Sequence, residues 1–329
     1  MTAGWTRRRF LAAASAAASL TGCGGVAATA APRPPPARGV PAAAPASAVD
    51  VALSPAPRFG LDPYRGLGCW LDVFDWSSAY GSGSPRFGPA DMASLAGRGV
   101  RTVFLQTARV THPSPADDLL ERDRLFALVD AAHAAGLAVV AWYLPTHVDQ
   151  TLDLRRAYAV LGAGRFDGFA LDIESRAEPD VALRNARLAD LVTRVRRAAG
   201  TATVGAIVVP PTTIQDVNPN YWPGFDWALL AALCDVFVPM NYWTNRLATS
   251  PWSVAGASTT ENIRRLRTLA GRADYPVHVA GGIANLVTEA QVRDMVAAVR
   301  TEGAIGASLY DVATTPDWLW PALEGVPAG

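Results

Sequence analysis

An α/β fold, a single (β/α)8 TIM barrel preceded by a signal peptide and a disordered linker, is what this 329-residue sequence predicts. Three observations carry that expectation. Eight apolar, β-rich runs start roughly 30–40 residues apart, the length of a strand plus a helix rather than of a hairpin. Helical patterns with start and stop signals lie between them. Acids, amides and aromatic residues gather at the C-terminal ends of the runs and are scarcer at the N-terminal ends, as in a barrel whose working face is the C-terminal one.

The leader comes first. Arg7 to Arg9 form a positive stretch, and Phe10 to Leu20 an apolar one too short to span a bilayer as a permanent helix. "TRRRFL" resembles a twin-arginine export signal, and "LTGC", Leu20 to Cys23, resembles a lipobox whose cysteine receives a lipid. The expectation is a signal peptide over residues 1–22, lipidation at Cys23, and an exported protein anchored by lipid on the extracytoplasmic face of the cell membrane. Ordinary secretion with an incidental Cys23 is the second reading. Residues 23–57 are Ala, Pro and Gly with almost no large apolar side chain, so they bury no core and read as a disordered spacer.

Residues 58–329 are the expected barrel domain, read as a monomer. The runs are 66–73, 101–107, 137–144, 167–173, 203–209, 235–241, 276–283 and 304–312. After the second, "ADDLLERDRLFALVDAAHAAG" opens on acids and closes on Gly136, as a capped helix does. After the fourth, "DVALRNARLADLVTRVRRAAG" ends in arginines and Gly200. Before the seventh, "TTENIRRLRTLAGR" is expected to begin on a Thr cap with a nearby Glu. A doubly wound sheet is the competing fold, but no G-x-G-x-x-G follows any run. "GSGS" at 81–84 has no helix after it and reads as a loop.

Charge excludes one class of partner. The 29 basic residues, all arginine, balance 29 acidic ones, which argues against nucleic acid. Beyond Cys23, only Cys69 and Cys234 occur, each in an apolar run, and both read as buried free thiols. His112, His133, His147 and His278 are scattered, without H-x-x-x-H or H-E-x-x-H spacing, so neither metal nor cofactor is expected. There is no G-x-S-x-G elbow for serine hydrolysis.

The strand ends are where function is expected. Run one carries Trp70, Asp72, Asp75 and Trp76, and run two Gln106 and Arg109. Run three supplies Trp142, Tyr143 and His147, and run four Asp172 and Glu174. Run six supplies Asn241, Tyr242 and Trp243, and run eight Tyr310 and Asp311. Aromatic faces with acids and amides around them suit a polysaccharide or oligosaccharide. Along "DGFALDIES" side chains alternate, so Ala170, Asp172 and Glu174 share one face, successive ones about 7 Å apart. Phe169, Leu171 and Ile173 take the other, which suits packing on helices. Two interior carboxylates this close are expected not to ionise together, which keeps one protonated as a general acid. Pairing of these acids with arginines such as Arg109 is the structural alternative.

"DGFALDIE" resembles the strand-four motif of family 18 glycoside hydrolases, the chitinase group, D-G-x-D-x-D-x-E. Asp167 and Gly168 match its opening, Asp172 its last Asp and Glu174 its catalytic acid. "PMNYW" resembles that family's Met-x-Tyr segment, which gives Tyr242 a supporting role beneath the reacting sugar. "GASLYDV" resembles its strand-eight segment, where Tyr310 would floor the site. Ala170 stands where the family has its first interior Asp, so the resemblance implies a glycoside-hydrolase-like barrel rather than a chitinase. Glu174 would then protonate the glycosidic oxygen. Asp172 would orient a substrate 2-acetamido group or a water, and an inverting scheme with Asp72, Asp75 or Asp311 as base stays open. Run seven ends "HVAGGIAN" with no acid, against the two-carboxylate retaining arrangement. The competing reading is a catalytically inactive glycan-binding barrel of the same descent.

Overall fold

The computed structural model describes residues 60–81, 85–111 and 117–328. The signal peptide, Cys23 and the linker lie outside the described residues, as do His112 and most of "GSGS". The eight expected runs are eight strands: β1 (Gly66–Leu71), β2 (Thr102–Gln106), β3 (Ala138–Tyr143), β4 (Gly168–Ile173), β5 (Thr203–Val208), β6 (Val236–Pro239), β7 (His278–Ile283) and β8 (Gly306–Tyr310). All pairings are parallel, in the order β6-β5-β4-β3-β2-β1-β8-β7. Bridges at Phe237–Val277 and Met240–Ala280 bring β6 to β7 and curl the sheet into a nearly closed barrel.

The outer layer is α1 (Met92–Gly97), α2 (Arg122–Ala134), α3 (Gln150–Gly162), α4 (Val181–Ala199), α5 (Trp227–Leu233), α6 (Ala255–Leu269) and α7 (Glu289–Thr301). α4 forms as its sequence predicts. The Asp180 carboxylate accepts from the Ala182 and Leu183 amides, Arg196 and Arg197 lie in the last turn, and Gly200 takes a positive φ of 52°.

Two helices start elsewhere than expected. α2 begins at Arg122, not at the acids before it, because Asp118 is bound by Arg155 and Arg156 of α3, and the Asp117 carbonyl accepts from Arg156. α6 begins at Ala255, so the expected Thr cap lies inside the helix. The Thr259 hydroxyl donates back to the Ala255 carbonyl at 2.7 Å.

A tyrosine closes the bottom of the barrel. A Cβ at Gly205 would come within 2.7 Å of the Tyr64 hydroxyl, and one at Gly168 within 3.1 Å of its ring. Only glycines on β4 and β5 leave room for Tyr64, whose hydroxyl donates to the Phe169 carbonyl at 2.7 Å. That contact fixes the phase of β4: Gly168 faces the interior, hence also Ala170 and Asp172.

Candidate functional site

Above Tyr64 the interior is aromatic. Trp70 stacks on Phe104 with centroids 4.5 Å apart and meets Trp142 edge-on at 6.0 Å. Trp70 Nε1 donates to Ser308 Oγ at 2.8 Å, and His278 Nε2 lies 3.1 Å from the same oxygen. His278 Nδ1 is 2.8 Å from the Tyr64 carbonyl, which can only accept, so Nδ1 carries the proton and Nε2 receives the serine hydroxyl. Burial holds this histidine down to about 4, neutral at ordinary pH. Trp70 and Trp142, both 1% exposed, are thus the floor beneath the mouth rather than its surface.

The acids lie one layer higher. Asp172 is fully buried and Glu174 is 3% exposed, on the interior phase at the end of β4. The Glu174 carbonyl accepts from the Tyr221 hydroxyl at 3.0 Å. Across the mouth, the rings of Tyr242 and Tyr310 lie 6.0 Å apart, and Tyr310 is 6.2 Å from Trp70.

A second acidic group sits where β1 pairs with β8. One oxygen from each of Asp72, Asp75 and Asp311 lies within 4.8 Å of the others, and all three residues are buried. Asp72 caps the helical turn Val73–Trp76 by accepting from the Phe74 amide at 2.7 Å, and its other oxygen accepts from the Tyr310 hydroxyl at 2.8 Å. The Gln106 side chain accepts from the Val73 amide at 3.2 Å, and Trp76 Nε1 donates to the Gln106 carbonyl. Asp311 caps Thr314 at 2.9 Å. Burial first, then the charges of Asp72 and Asp311, raise Asp75 to about 8. The proton it holds relieves the repulsion within the group. Among the described residues this is the one acidic group close enough to share a cation, though each of its residues already accepts a hydrogen bond from the protein.

A raised carboxyl has a definite sign in stability. Between its ordinary value of 3.8 and about 8, folded Asp75 keeps a proton that the unfolded chain has lost. Raising pH through that window therefore removes stability, by up to about 1.4 kcal/mol per pH unit. Asp75→Asn, protonated-like at every pH, is expected to flatten this slope by about one proton between pH ~5 and ~7. Urea midpoints at the two pH values check it, and an unchanged slope would place the proton elsewhere.

Several expected site residues serve the walls. The Tyr143 hydroxyl donates outward to Asp153 of α3 at 2.6 Å. His147 is fully buried, edge-on to Trp222 at 5.7 Å. Asn241 turns to α6, where its Oδ1 accepts from Ser258 at 2.6 Å and Asn262 at 3.0 Å, while its amide donates to Thr259. Trp243 packs over Gly282 of β7, where a Cβ would come within 2.8 Å of its ring. The Arg109 guanidinium lies over Phe74 and Tyr80 at 5.3 and 4.8 Å, not against the β4 acids. Asp167, which opens the β4 motif, lies at the opposite end of the barrel, 2.8 Å from His133 and accepting the Val139 amide.

Two groups were not singled out from the sequence: the Asp75-centred coupling across β1 and β8, and the Tyr221–Trp222 pair in the long connection after β5. The aromatic run "YWPGFDW" at 221–227 was the available signal for the second.

No protein-family model matches this chain, and no curated protein matches it. Solved structures do. An endo-β-1,4-mannanase from Thermotoga petrophila superposes with a TM-score of 0.56 at 13% identity, over 76% of this chain and 68% of that one. A chitinase from Chromobacterium violaceum ATCC 12472 superposes with 0.56 at 12% identity, over 79% and 98%. The spore cortex-lytic enzyme SleL of Bacillus cereus gives 0.54 at 10%, over 79% and 74%. The chain therefore has the (β/α)8 barrel fold that these glycoside hydrolases have. At such identities the likeness extends to the fold and stops there.

Proposed function

We propose that this protein is an exported, membrane-tethered glycoside hydrolase acting on a cell-envelope or environmental polysaccharide. Glu174 is the general acid, Asp172 its assistant, and Tyr242 supports the reacting sugar. One observation carries the reading: two successive interior carboxylates stand buried at the C-terminal end of β4, in the mouth that Tyr242 and Tyr310 also line.

In a buried site a carboxyl proton passes to the glycosidic oxygen as the C1–O bond breaks. If a 2-acetamido oxygen closes on C1, the carboxylate left behind then takes a proton from the water that opens the cyclic intermediate. If water attacks C1 directly, a separate carboxylate takes that proton. β7 brings no acid, so the nucleophile is either a 2-acetamido oxygen of the substrate, oriented by Asp172, or a water. Asp75 is a poor base near neutral pH because it holds its proton there. The test is release of reducing ends from a panel including peptidoglycan and chitin. Release names the substrate. Retention on a glycan without release would replace this reading by that of a catalytically inactive glycan-binding barrel, which Ala170 favours.

Tethering is separately testable. Cys23→Ser is expected to move the exported chain from the membrane fraction to the soluble one, and an unchanged distribution would exclude a lipid at Cys23.

A further inference from the structure

We propose that the wall of the mouth around Tyr221 and Trp222 carries an anion-binding subsite, built from Arg176, Arg184 and His147, and that the glycan this barrel takes bears a sugar carboxylate. The inference rests on the glycan reading of the mouth given above.

Tyr221 and Trp222 organise the group. Tyr221 reaches the Glu174 carbonyl, and the Arg176 guanidinium lies over its ring at 4.5 Å. The neighbouring Trp222 carries Arg184 on its face at 4.4 Å and His147 against its edge at 5.7 Å. Adjacent rings thus hold two guanidinium groups, and burial first, then the Arg176 charge, pull the Arg184 pKa down.

Among the described residues neither arginine is in an ion pair. Glu178 gives its carboxylate to Arg187 at 2.8 Å, and gives Arg184 a backbone carbonyl at 3.2 Å and a longer-range attraction. Arg184 is 3% exposed and its Nε has no hydrogen-bond partner. His147 is fully buried with both ring nitrogens unpartnered. Its backbone sits at φ 62°, a conformation rare for a residue with a Cβ, and is held there by its amide on Asp153 at 2.8 Å and its carbonyl on Arg187 at 2.6 Å.

Buried donors are costly unless something accepts from them, and the Arg184 Nε and the His147 ring nitrogens have no acceptor. A carboxylate fits: it takes two parallel N–H bonds from a guanidinium and a third from a neutral imidazole. His147 is neutral, because burial and the charges of Arg184 and Arg187 push it down to about 4.

The test follows the heat-denaturation midpoint of the full chain at constant ionic strength, with sodium glucuronate, glucose or sodium acetate added. Glucuronate is expected to raise the midpoint saturably and glucose not. Arg176→Gln, an exposed position whose loss leaves the core intact, is expected to need ~10-fold more glucuronate for half the effect. Arg184→Lys, which keeps the charge and loses the fork, is expected to behave likewise. No saturable rise, or a rise that both variants keep, overturns the proposal. A full effect from acetate makes this a site for small free acids and overturns the sugar assignment. Cleavage of neutral polysaccharides with no glucuronate effect removes the subsite and leaves the hydrolase reading standing. An Arg176-dependent rise in a protein that neither cleaves nor retains any glycan removes the hydrolase reading instead.

Discussion

Glu174→Gln is expected to lower release of reducing ends by about 10²–10⁴-fold, the span that a positioned general acid contributes. The amide matches the carboxyl in shape and hydrogen-bonding capacity but has no proton to give, so glycan binding should persist. Glu174 is 3% exposed and its backbone is held by Tyr221, which leaves a neutral isostere little reason to disturb the fold. Turnover and retention on the same polysaccharide, measured for parent and variant, separate the roles. Equal activity in both would remove Glu174 from the chemistry. Loss of binding together with turnover would make it a binding group.

Trp70→Ala is expected to cost about 3–5 kcal/mol of folding stability, read from urea denaturation. The indole fills the space between Phe104, Trp142 and Tyr310 and donates to Ser308, which is tied in turn to His278. Removing it opens a cavity in the barrel and takes a buried donor from the serine. A loss below about 1 kcal/mol would mean that the ring is dispensable to the core and belongs to the mouth instead.

Both expectations depend on which way a side chain points, and legibility divided along that line. Along β4 the strict alternation of "GFALDI" set Asp172 and Glu174 against Phe169, Leu171 and Ile173, and the Tyr64–Gly168 contact agrees with that phase. Past the last ladder pair alternation ceases to apply. Asn241, beyond the end of β6, turns to α6, whereas Tyr143, still in the ladder opposite Leu171, alternates outward from Trp142 and reaches Asp153. The helix starts erred for a related reason. Asp118 could have capped a helix, but Arg155 and Arg156 from the next element claim it first, and charge-assisted bonds to arginine outweigh a local cap.

The strand period, the helix stop signals and the crowding of acids and aromatics at one end of each strand are local or periodic properties, and the sequence by itself determined them. Packing in three dimensions decided the rest. Asp72 and Asp311 stand more than two hundred positions apart, and only the pairing of β1 with β8 makes them neighbours that keep a proton on Asp75. Likewise only the return of the β5 connection brings Tyr221 to the Glu174 carbonyl and lays the rings of Tyr221 and Trp222 against Arg176 and Arg184. Burial and Coulomb interaction depend on distance in space, which a linear pattern does not encode until the barrel has closed.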